Sequence, residues 1–239
     1  MSPNTNNVLK SVSVQMSTAS QTSTSPVQSP PTVTKDDLDH AGTIIDPKVT
    51  QRLGQMFAHF NPVESIALLI DGPNQHFTTR ELGFQIDYLK FQELFRVAGQ
   101  LKSSYYFSAV SDEDHHAHLK NLITWLTNHG YRTVTKPSKK MSTPLATGSV
   151  YKGNMDVEIA VYALEHCKAA DHIVLASGDG DFQYLVETLQ KTGKKVTVVS
   201  SEKCPSCRIA PELRNQADGF IDLDLIKPLI TRDNFTSNV

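Results

Sequence analysis

The sequence predicts an α/β protein with a three-layer α/β/α sandwich and a mainly parallel central sheet. From about residue 65 onward, short apolar runs alternate with segments whose apolar residues recur at helical spacing. The first run, "IALLI" at 66–70, is wholly apolar, which is typical of a strand covered on both faces. Strands and helices that alternate in this way are joined by right-handed crossovers. The sheet is therefore expected to be parallel, with helices on both of its faces.

The later elements are expected in regular alternation. Further runs of apolar or β-branched residues predict five more strands: 105–110, 131–135, 172–176, 195–199 and 220–224. Helical spacing and end signals predict four helices: one capped by Asp87, one ended by Gly130, one that begins near Asn154 and one ended by Gly193. A further short helix is expected at 210–217.

The chain is expected to fold as one domain between two tails. Residues 1–34 are more than half Ser, Thr and Pro and contain one charged residue. A segment of this composition does not bury enough apolar surface to offset the entropy of ordering, so a disordered tail is expected. Residues 35–63 are expected to be a linker with a short helix, residues 64–227 the folded domain and residues 228–239 a C-terminal tail.

Composition and charge indicate a soluble, cytoplasmic protein. The net charge is −2 at pH 7, so contacts with nucleic acid would have to come from local clusters of lysine and arginine. Three cysteines in 239 residues do not form a disulfide framework, which favours a reducing compartment. No apolar run approaches the roughly 20 residues of a membrane helix, and the N-terminal segment lacks the apolar stretch of a secretory signal.

Carboxylates directly follow two of the expected strands. The sequence "LLIDGPN" places Asp71 and Asn74 after the first strand, and "VLASGDGDF" places Asp179 and Asp181 after 172–176. Ligands of parallel sheets bind beyond the carboxyl ends of the strands. These side chains are therefore expected to converge in space, although they lie far apart in the sequence.

The helix that begins near Asn154 contributes another acid. Asp156 lies three and four residues before Ile159 and Ala160, so it shares the apolar stripe of that helix. An inward-pointing carboxylate is unfavourable unless it is paired or bound to a metal. Several carboxylates beside a phosphate-sized space provide the hard oxygen ligands that Mg²⁺ or Mn²⁺ prefers, and a cation relieves their mutual repulsion. The spacing thus favours a divalent-metal site.

Each of these residues also has a structural interpretation. Asp179 could cap the helix that follows it, and Asp71 with Asn74 could form an Asx turn. Asp156 could be a first-turn acid that interacts with the helix dipole. The expected convergence of all of them on one edge of one sheet favours the metal site over these separate roles.

Four motifs of the expected domain occur together and in a fixed order. They are "ALLIDGPN", "KGNMDVEIAVYALE", "IVLASGDGDFQYLVETLQKTGKKVTVVS" and "APELRNQADGFIDLD", within residues 65–225. The set resembles the NYN/LabA-like branch of the PIN-like nucleases and covers the whole expected domain. The resemblance implies an α/β/α sandwich and a hydrolase that cleaves RNA as an endonuclease with Mg²⁺ or Mn²⁺.

The resemblance also implies roles for individual residues. It places the catalytic, metal-binding centre at four acids: Asp71, Asp156, Asp179 and Asp181. Asn74 and Ser177 would assist at the rim of this centre, and Lys152 of "KGN" would approach the substrate phosphate.

A lysine-rich segment, "KPSKK" at 136–140, precedes the helix that carries Asp156. Such a segment is usually a solvated loop. Because it lies near the expected cleft, Lys139 and Lys140 are also candidates for contacts with substrate phosphates. Both interpretations stay open.

One position departs from the family pattern. Many members of the family carry a further aspartate where this chain has Tyr162. A tyrosine does not replace a carboxylate ligand at neutral pH, and Glu158 lies on a different face of the helix from Asp156. The departure leaves open a weaker metal site, or RNA binding without cleavage.

Two other motifs indicate different functions. "CPSC" at 204–207 follows an expected strand and precedes a helix, as in thiol-redox proteins, but too little chain follows it to complete a thioredoxin fold. A single CxxC is also a weak zinc motif. His115 and His118 have the helical spacing of a possible metal site, but an exposed polar helix start explains this spacing. The sequence therefore favours a metal-dependent ribonuclease, with a non-catalytic RNA-binding or regulatory module as the alternative and a thiol-redox protein that uses Cys204 and Cys207 as the more distant one.

Overall fold

A parallel β-sheet forms the centre of the protein. The computed structural model describes three ranges: 47–111, 117–141 and 150–233. Within them, only the backbone is described for the following residues: 47–50, 53, 139–141 and 150–152. The expected tail at 1–34 and His115 lie outside the described residues. The strands are, in chain order, β1 (Ser65–Asp71), β2 (Gln100–Val110), β3 (Arg132–Pro137), β4 (Lys139–Met141), β5 (Val150–Lys152), β6 (His172–Ala176), β7 (Lys195–Ser200) and β8 (Gly219–Asp222).

Six of these strands make the central sheet, in the order β3-β2-β1-β6-β7-β8. All neighbouring strands in it are parallel, as the alternation of strands and helices predicts. β4 and β5 form a separate antiparallel hairpin. β1 lies in the middle of the sheet, and every residue from Ile66 to Asp71 is buried.

Helices cover both faces of this sheet. In chain order they are α1 (Pro47–Phe57), α2 (Gly72–Glu81), α3 (Tyr88–Ala98), α4 (Ala117–Asn128), α5 (Asp156–Glu165), α6 (Gln183–Lys191), α7 (Pro211–Gln216) and α8 (Leu223–Ile230). One apolar core unites β1 with α3 and α8, and a second core on the opposite face unites β1 with α5 and α6. Alternate residues of β1 point into the two cores: Leu68 into the first and Leu69 into the second. The fold is therefore the expected three-layer α/β/α sandwich.

The sequence patterns do not predict helix α2 or the β4–β5 hairpin. α2 buries Gln75, Thr78 and Thr79 instead of an apolar stripe, and Gln75 Nε2 donates to the Val199 carbonyl at 3.2 Å. The periodicity of apolar residues does not predict a helix whose buried face is polar. The segment 136–140, expected as a loop, instead contains the end of β3 and the start of β4.

The ordered core extends beyond the expected domain limits. Helix α8 continues past residue 227, and Ile230 is fully buried. The Ile230 carbonyl accepts from the backbone N–H of Asp87 at 2.7 Å, which fixes the end of α8 against the start of α3. In the expected linker, α1 leads to Phe60, which is 5% exposed and packs in the first core. Both segments are parts of the sandwich because their apolar side chains complete its core.

Each helix in the three described ranges is too short or too polar to span a membrane.

Candidate active site

The carboxyl ends of β1 and β6 lie side by side where the strand order reverses. From β1 the chain builds β2 and β3 on one side, whereas β6, β7 and β8 lie on the other side. Connections that leave neighbouring strands in opposite directions open a crevice between them, which is the usual ligand site of such sheets. Asp71 is the last residue of β1, and residues 177–181 follow β6 directly.

Asp71 is a buried carboxylate with a hydrogen bond to each oxygen. As the N-cap of α2, its Oδ1 accepts from the backbone N–H of Asn74 at 3.3 Å, and its Oδ2 accepts from the Ser177 hydroxyl at 2.9 Å. Burial raises the pKa of Asp71 to about 6; the two hydrogen bonds oppose this shift, and the charges of Asp156 and Asp179 add to it. The carboxylate is therefore one whose ionised form an added cation would stabilise.

Asn74 and Ser177 tie the two strand ends together. Asn74 Oδ1 accepts from the backbone N–H of Gly178 at 3.0 Å, and Ser177 Oγ is 3.3 Å from the backbone nitrogen of Asp179, which donates to it. Asn74 lines the pocket beside Asp71. Ser177, in contrast, is fully buried. Its hydroxyl holds the carboxylate of Asp71.

Asp179 and Asp181 lie in the tight turn that follows β6. Residues Gly180–Phe182 form one turn of 3₁₀ helix, and Asp179 Oδ1 caps this turn by accepting from the backbone N–H of Asp181 at 3.1 Å. The capping role considered from the sequence is thus present. It uses one oxygen of Asp179, which also lines the pocket beside Asp71, while Asp181 is exposed.

Asp156 is the first residue of α5 and is oriented by Asn154. Asn154 Oδ1 accepts from the backbone N–H of Asp156 at 2.7 Å, and Asn154 Nδ2 donates to Asp156 Oδ2 at 2.5 Å. Partial burial raises the pKa of Asp156, the Asn154 hydrogen bond lowers it, and the charges of Asp179 and Asp181 raise it again. The role of Asn154 does not follow from the motifs of the sequence. An asparagine two residues before the acid at a helix start is the signal that would have found it.

Three of the four expected acids form one cluster. Asp156, Asp179 and Asp181 each contribute a carboxylate oxygen, and these three oxygens all lie within 4.8 Å of one another. Asp71 is not a member of this cluster, but it lines the same pocket of about 190 Å³ as Asp156 and Asp179. Among the side chains that the structure describes, no lysine or arginine forms an ion pair with any of the four acids. Adjacent carboxylates without an ion-pair partner are a donor set that fits a hard divalent cation such as Mg²⁺ or Mn²⁺.

Glu158 and Tyr162 stand apart from this cluster. The Glu158 carboxylate accepts from the Lys136 ammonium at 2.7 and 2.9 Å, so it is neutralised on a neighbouring face of α5. The Tyr162 ring packs edge-on against Tyr105 and Phe107, at centroid distances of 5.6 and 5.5 Å. The position that departs from the family pattern therefore serves the apolar core.

The three candidate phosphate-binding lysines lie in the β4–β5 hairpin. Lys139 pairs with Lys152 across this hairpin, and Lys140 pairs with Tyr151. The backbone then enters the pocket wall at Gly153. The side chains of these lysines lie outside the described residues, so their contacts with phosphate stay predictions.

Cys204 and Cys207 form a disulfide in the loop between β7 and α7. Cys204 is fully buried, and its Sγ lies 3.0 Å from the Glu81 carboxylate at the end of α2. The same loop contacts the turn that carries Asp179, because the backbone N–H of Ala210 donates to the Gly178 carbonyl at 3.0 Å. The pair thus braces a loop that adjoins the site.

A groove between α5 and α6 adjoins the acidic cluster. It encloses about 340 Å³ and shares Asp156 and Asp181 with the cluster. Tyr184 and Val157, which line it, are 75% and 71% exposed. Helical periodicity does not reveal Tyr184, because an aromatic residue on the outer face of a helix gives no periodic signal.

The fold and the site together define a PIN-like α/β domain, with acids gathered at the switch point of a parallel sheet. The NYN domain model matches residues 65–224, and the chain belongs to the NYN family. Low amplitude and bright protein LabA of Synechococcus elongatus is 30% identical over 171 residues, which are 70% of this chain and 88% of that protein. The chain is thus an NYN domain of LabA-like, nuclease-type character.

Two solved structures align with this chain. One is a protein of unknown function from Vibrio parahaemolyticus, with a TM-score of 0.56 and 27% identity, covering 71% of this chain and 98% of that chain. The other is MAR1 ribonuclease from Caenorhabditis elegans, with a TM-score of 0.35 and 14% identity, covering 71% of this chain and 81% of that chain. The second likeness is too small to carry an argument about this protein.

Proposed function

We propose that this chain is a metal-dependent ribonuclease that hydrolyses phosphodiester bonds of RNA at the acidic cluster. The observation that carries the proposal is the convergence of Asp156, Asp179 and Asp181, whose oxygens lie within 4.8 Å of one another without an ion-pair partner in the described part of the chain. Repelling carboxylates are retained at a strand-end crevice when a cation and an anionic substrate compensate them.

The acids would hold Mg²⁺ or Mn²⁺, with buried Asp71 as a further carboxylate on the strand side. When bound, such a cation lowers the pKa of water and neutralises charge on the phosphoryl oxygens. The protein supplies a fixed frame: Ser177 and the Asn74 N–H hold Asp71, and Asn154 holds Asp156. This frame is set by hydrogen bonds before any substrate arrives, and little reorganisation is needed on binding.

The family membership supports RNA as the substrate class, and the lysines of the hairpin would add phosphate contacts. Tyr162 favours a second candidate function, that of a non-catalytic RNA-binding module on the same fold. Its ring occupies the core where the family pattern has an acid, so the cluster has one carboxylate fewer than that pattern.

Cleavage of a labelled RNA by matched variants tests the proposal. Wild-type protein should cleave with Mn²⁺ or Mg²⁺ and stop in EDTA. Asp156→Asn and Asp179→Asn should lower the rate about a hundredfold or more, because the charge that holds the cation is removed while the shape is kept.

Glu158→Gln is the matched control for these variants. It removes a carboxylate from the same helix, but this carboxylate is paired with Lys136 and lies outside the cluster. We expect it to cleave at the wild-type rate. RNA binding without cleavage by the wild-type protein, unaffected by EDTA, would replace the nuclease with the binding module.

A further inference from the structure

The groove between α5 and α6 has the composition of a surface for a flat apolar group. Its floor contains Phe182 and Leu185, which are 1% and 7% exposed, and its rim contains Tyr184 and Val157. Its exposed lining is mainly apolar, and no lysine or arginine is among the described residues that line it. The Thr188 hydroxyl, a polar group of its wall, already donates to the Tyr184 carbonyl at 2.8 Å. The groove is thus unsuited to a phosphate and suited to an aromatic ring.

The position of the groove identifies what fits it. Asp156 and Asp181 belong both to the acidic cluster and to the groove wall. A ligand held by a cation at the cluster therefore meets the apolar groove without crossing other surface. A nucleotide combines the two chemistries required, an anionic phosphate and a flat base with apolar faces.

We propose that this groove is a base-binding subsite, in which Tyr184 stacks on an unpaired nucleobase next to the phosphate held at the acidic cluster. The proposal deepens the proposed ribonuclease function and rests on it for the position of the phosphate. Stacking on an aromatic side chain is available to every base, since every base has a π-face.

Two properties of the substrate follow. Recognition by stacking and apolar contact does not read the hydrogen-bonding edge of a base, so the subsite should tolerate all four bases. A base within a duplex is stacked and paired, so it does not reach a side chain between two helices without being extruded. The base that enters this subsite is therefore an unpaired one.

Cleavage kinetics with Mn²⁺ test the subsite in the full chain. On a short single-stranded RNA, Tyr184→Ala should raise KM about tenfold or more, because the stacking surface is lost. Tyr184→Phe should recover most of this loss because the ring is kept. Phe77→Ala is the matched control: Phe77 is a 60% exposed helical aromatic that lines neither the pocket nor the groove. It should keep the wild-type KM, and all variants should melt at the wild-type temperature.

A direct binding measurement separates failure of the subsite from failure of the nuclease. A single-stranded RNA with one 2-aminopurine should lose fluorescence on binding wild-type protein, and not on binding Tyr184→Ala. This outcome supports the subsite even if no RNA is cleaved. Metal-dependent cleavage with equal KM for wild type and Tyr184→Ala, equal cleavage of duplex RNA, or a dimer that Tyr184→Ala dissociates would overturn the subsite and leave the nuclease proposal standing.

Discussion

Aspartates of one site differ in character because their surroundings differ. Asp71 is 7% exposed, and burial raises its pKa to about 6. Asp179 uses one oxygen to cap a turn, and Asp181 is exposed. The sequence predicts that these acids gather, because strand ends of a parallel sheet share one edge. It does not predict which of them is buried, because burial depends on Tyr106 and Ser177, whose approach to Asp71 is set by the fold.

A pair of histidines, buried His172 and half-buried His59, lies at the opposite edge of the sheet. His172 Nε2 and His59 Nε2 lie 2.8 and 2.7 Å from the Thr197 hydroxyl, which has one proton and therefore donates to at most one of the two rings. The His172 ring is fully buried and stacks on Phe60 at 4.4 Å. Protonation of the His172 ring would place a charge in a buried position, where the Glu64 carboxylate lies 3.6 Å from Nδ1.

We predict that His172 makes the protein less stable as the pH falls below 6.5. Burial lowers the pKa of His172 from 6.5 to about 3, and the charges of His59 and Lys195 add to this while Asp218 opposes it. Between pH 6.5 and 3 the unfolded chain binds a proton that the folded protein does not. The free energy of unfolding should therefore fall by up to about 1.4 kcal/mol per pH unit from this proton.

Urea unfolding of wild type and His172→Gln between pH 4 and pH 7 measures this effect. The substitution removes the titrating ring, so the variant should show a shallower dependence of unfolding free energy on pH. Equal slopes for the two proteins would assign the acid sensitivity to other groups.

Among the helices and strands, those with a clear pattern of apolar residues are the ones that the sequence predicts. All six strands of the central sheet are confirmed, since each contains a run of apolar or β-branched residues. These runs are largely buried in the inner strands and partly exposed in the edge strands β3 and β8. Helix α2 is not predicted from the sequence because it buries polar side chains. Its start requires the backbone at Gly72 to lie close to Tyr106, since a Cβ at Gly72 would be 2.6 Å from the Tyr106 ring. The β4–β5 hairpin is not predicted either, because strands of three residues are too short to show an alternating pattern.

The connection after α1 should be essential to stability. Phe60 packs against Phe57, Phe95 and His172, with ring centroids 5.5, 6.0 and 4.4 Å away. Phe60→Ala should lower the free energy of unfolding by about 3–5 kcal/mol, as expected for a large side chain removed from a core.

Phe77→Ala makes the same chemical change at a 60% exposed position and should stay within about 0.5 kcal/mol of wild type. Denaturant unfolding of both variants gives the comparison. A small effect at Phe60 would mean that residues 47–60 are the loosely attached linker that composition alone indicates.

At the scale of the whole molecule, the strand order places the chemistry. The acids of β1 and β6 meet because the chain builds outward from β1 on one side and returns to β6 on the other. The sequence predicts a parallel sheet but not this order, because apolar runs do not state which strands are neighbours. The third element of the site is Asp156 at the start of α5. The sequence predicts where this helix begins, but the direction in which it meets the sheet is known only from the fold.

Thermal unfolding measured against Mn²⁺ concentration tests whether the acidic cluster holds a divalent cation. Wild-type protein should gain stability by linkage, by about 2.7 kcal/mol at a hundredfold excess over Kd. Asp179→Asn should melt at or above the wild-type temperature without metal, because one repelling carboxylate is gone, and should lose the gain with metal. A wild-type melting temperature that does not change up to millimolar Mn²⁺, or a gain that Asp179→Asn retains, would contradict the account.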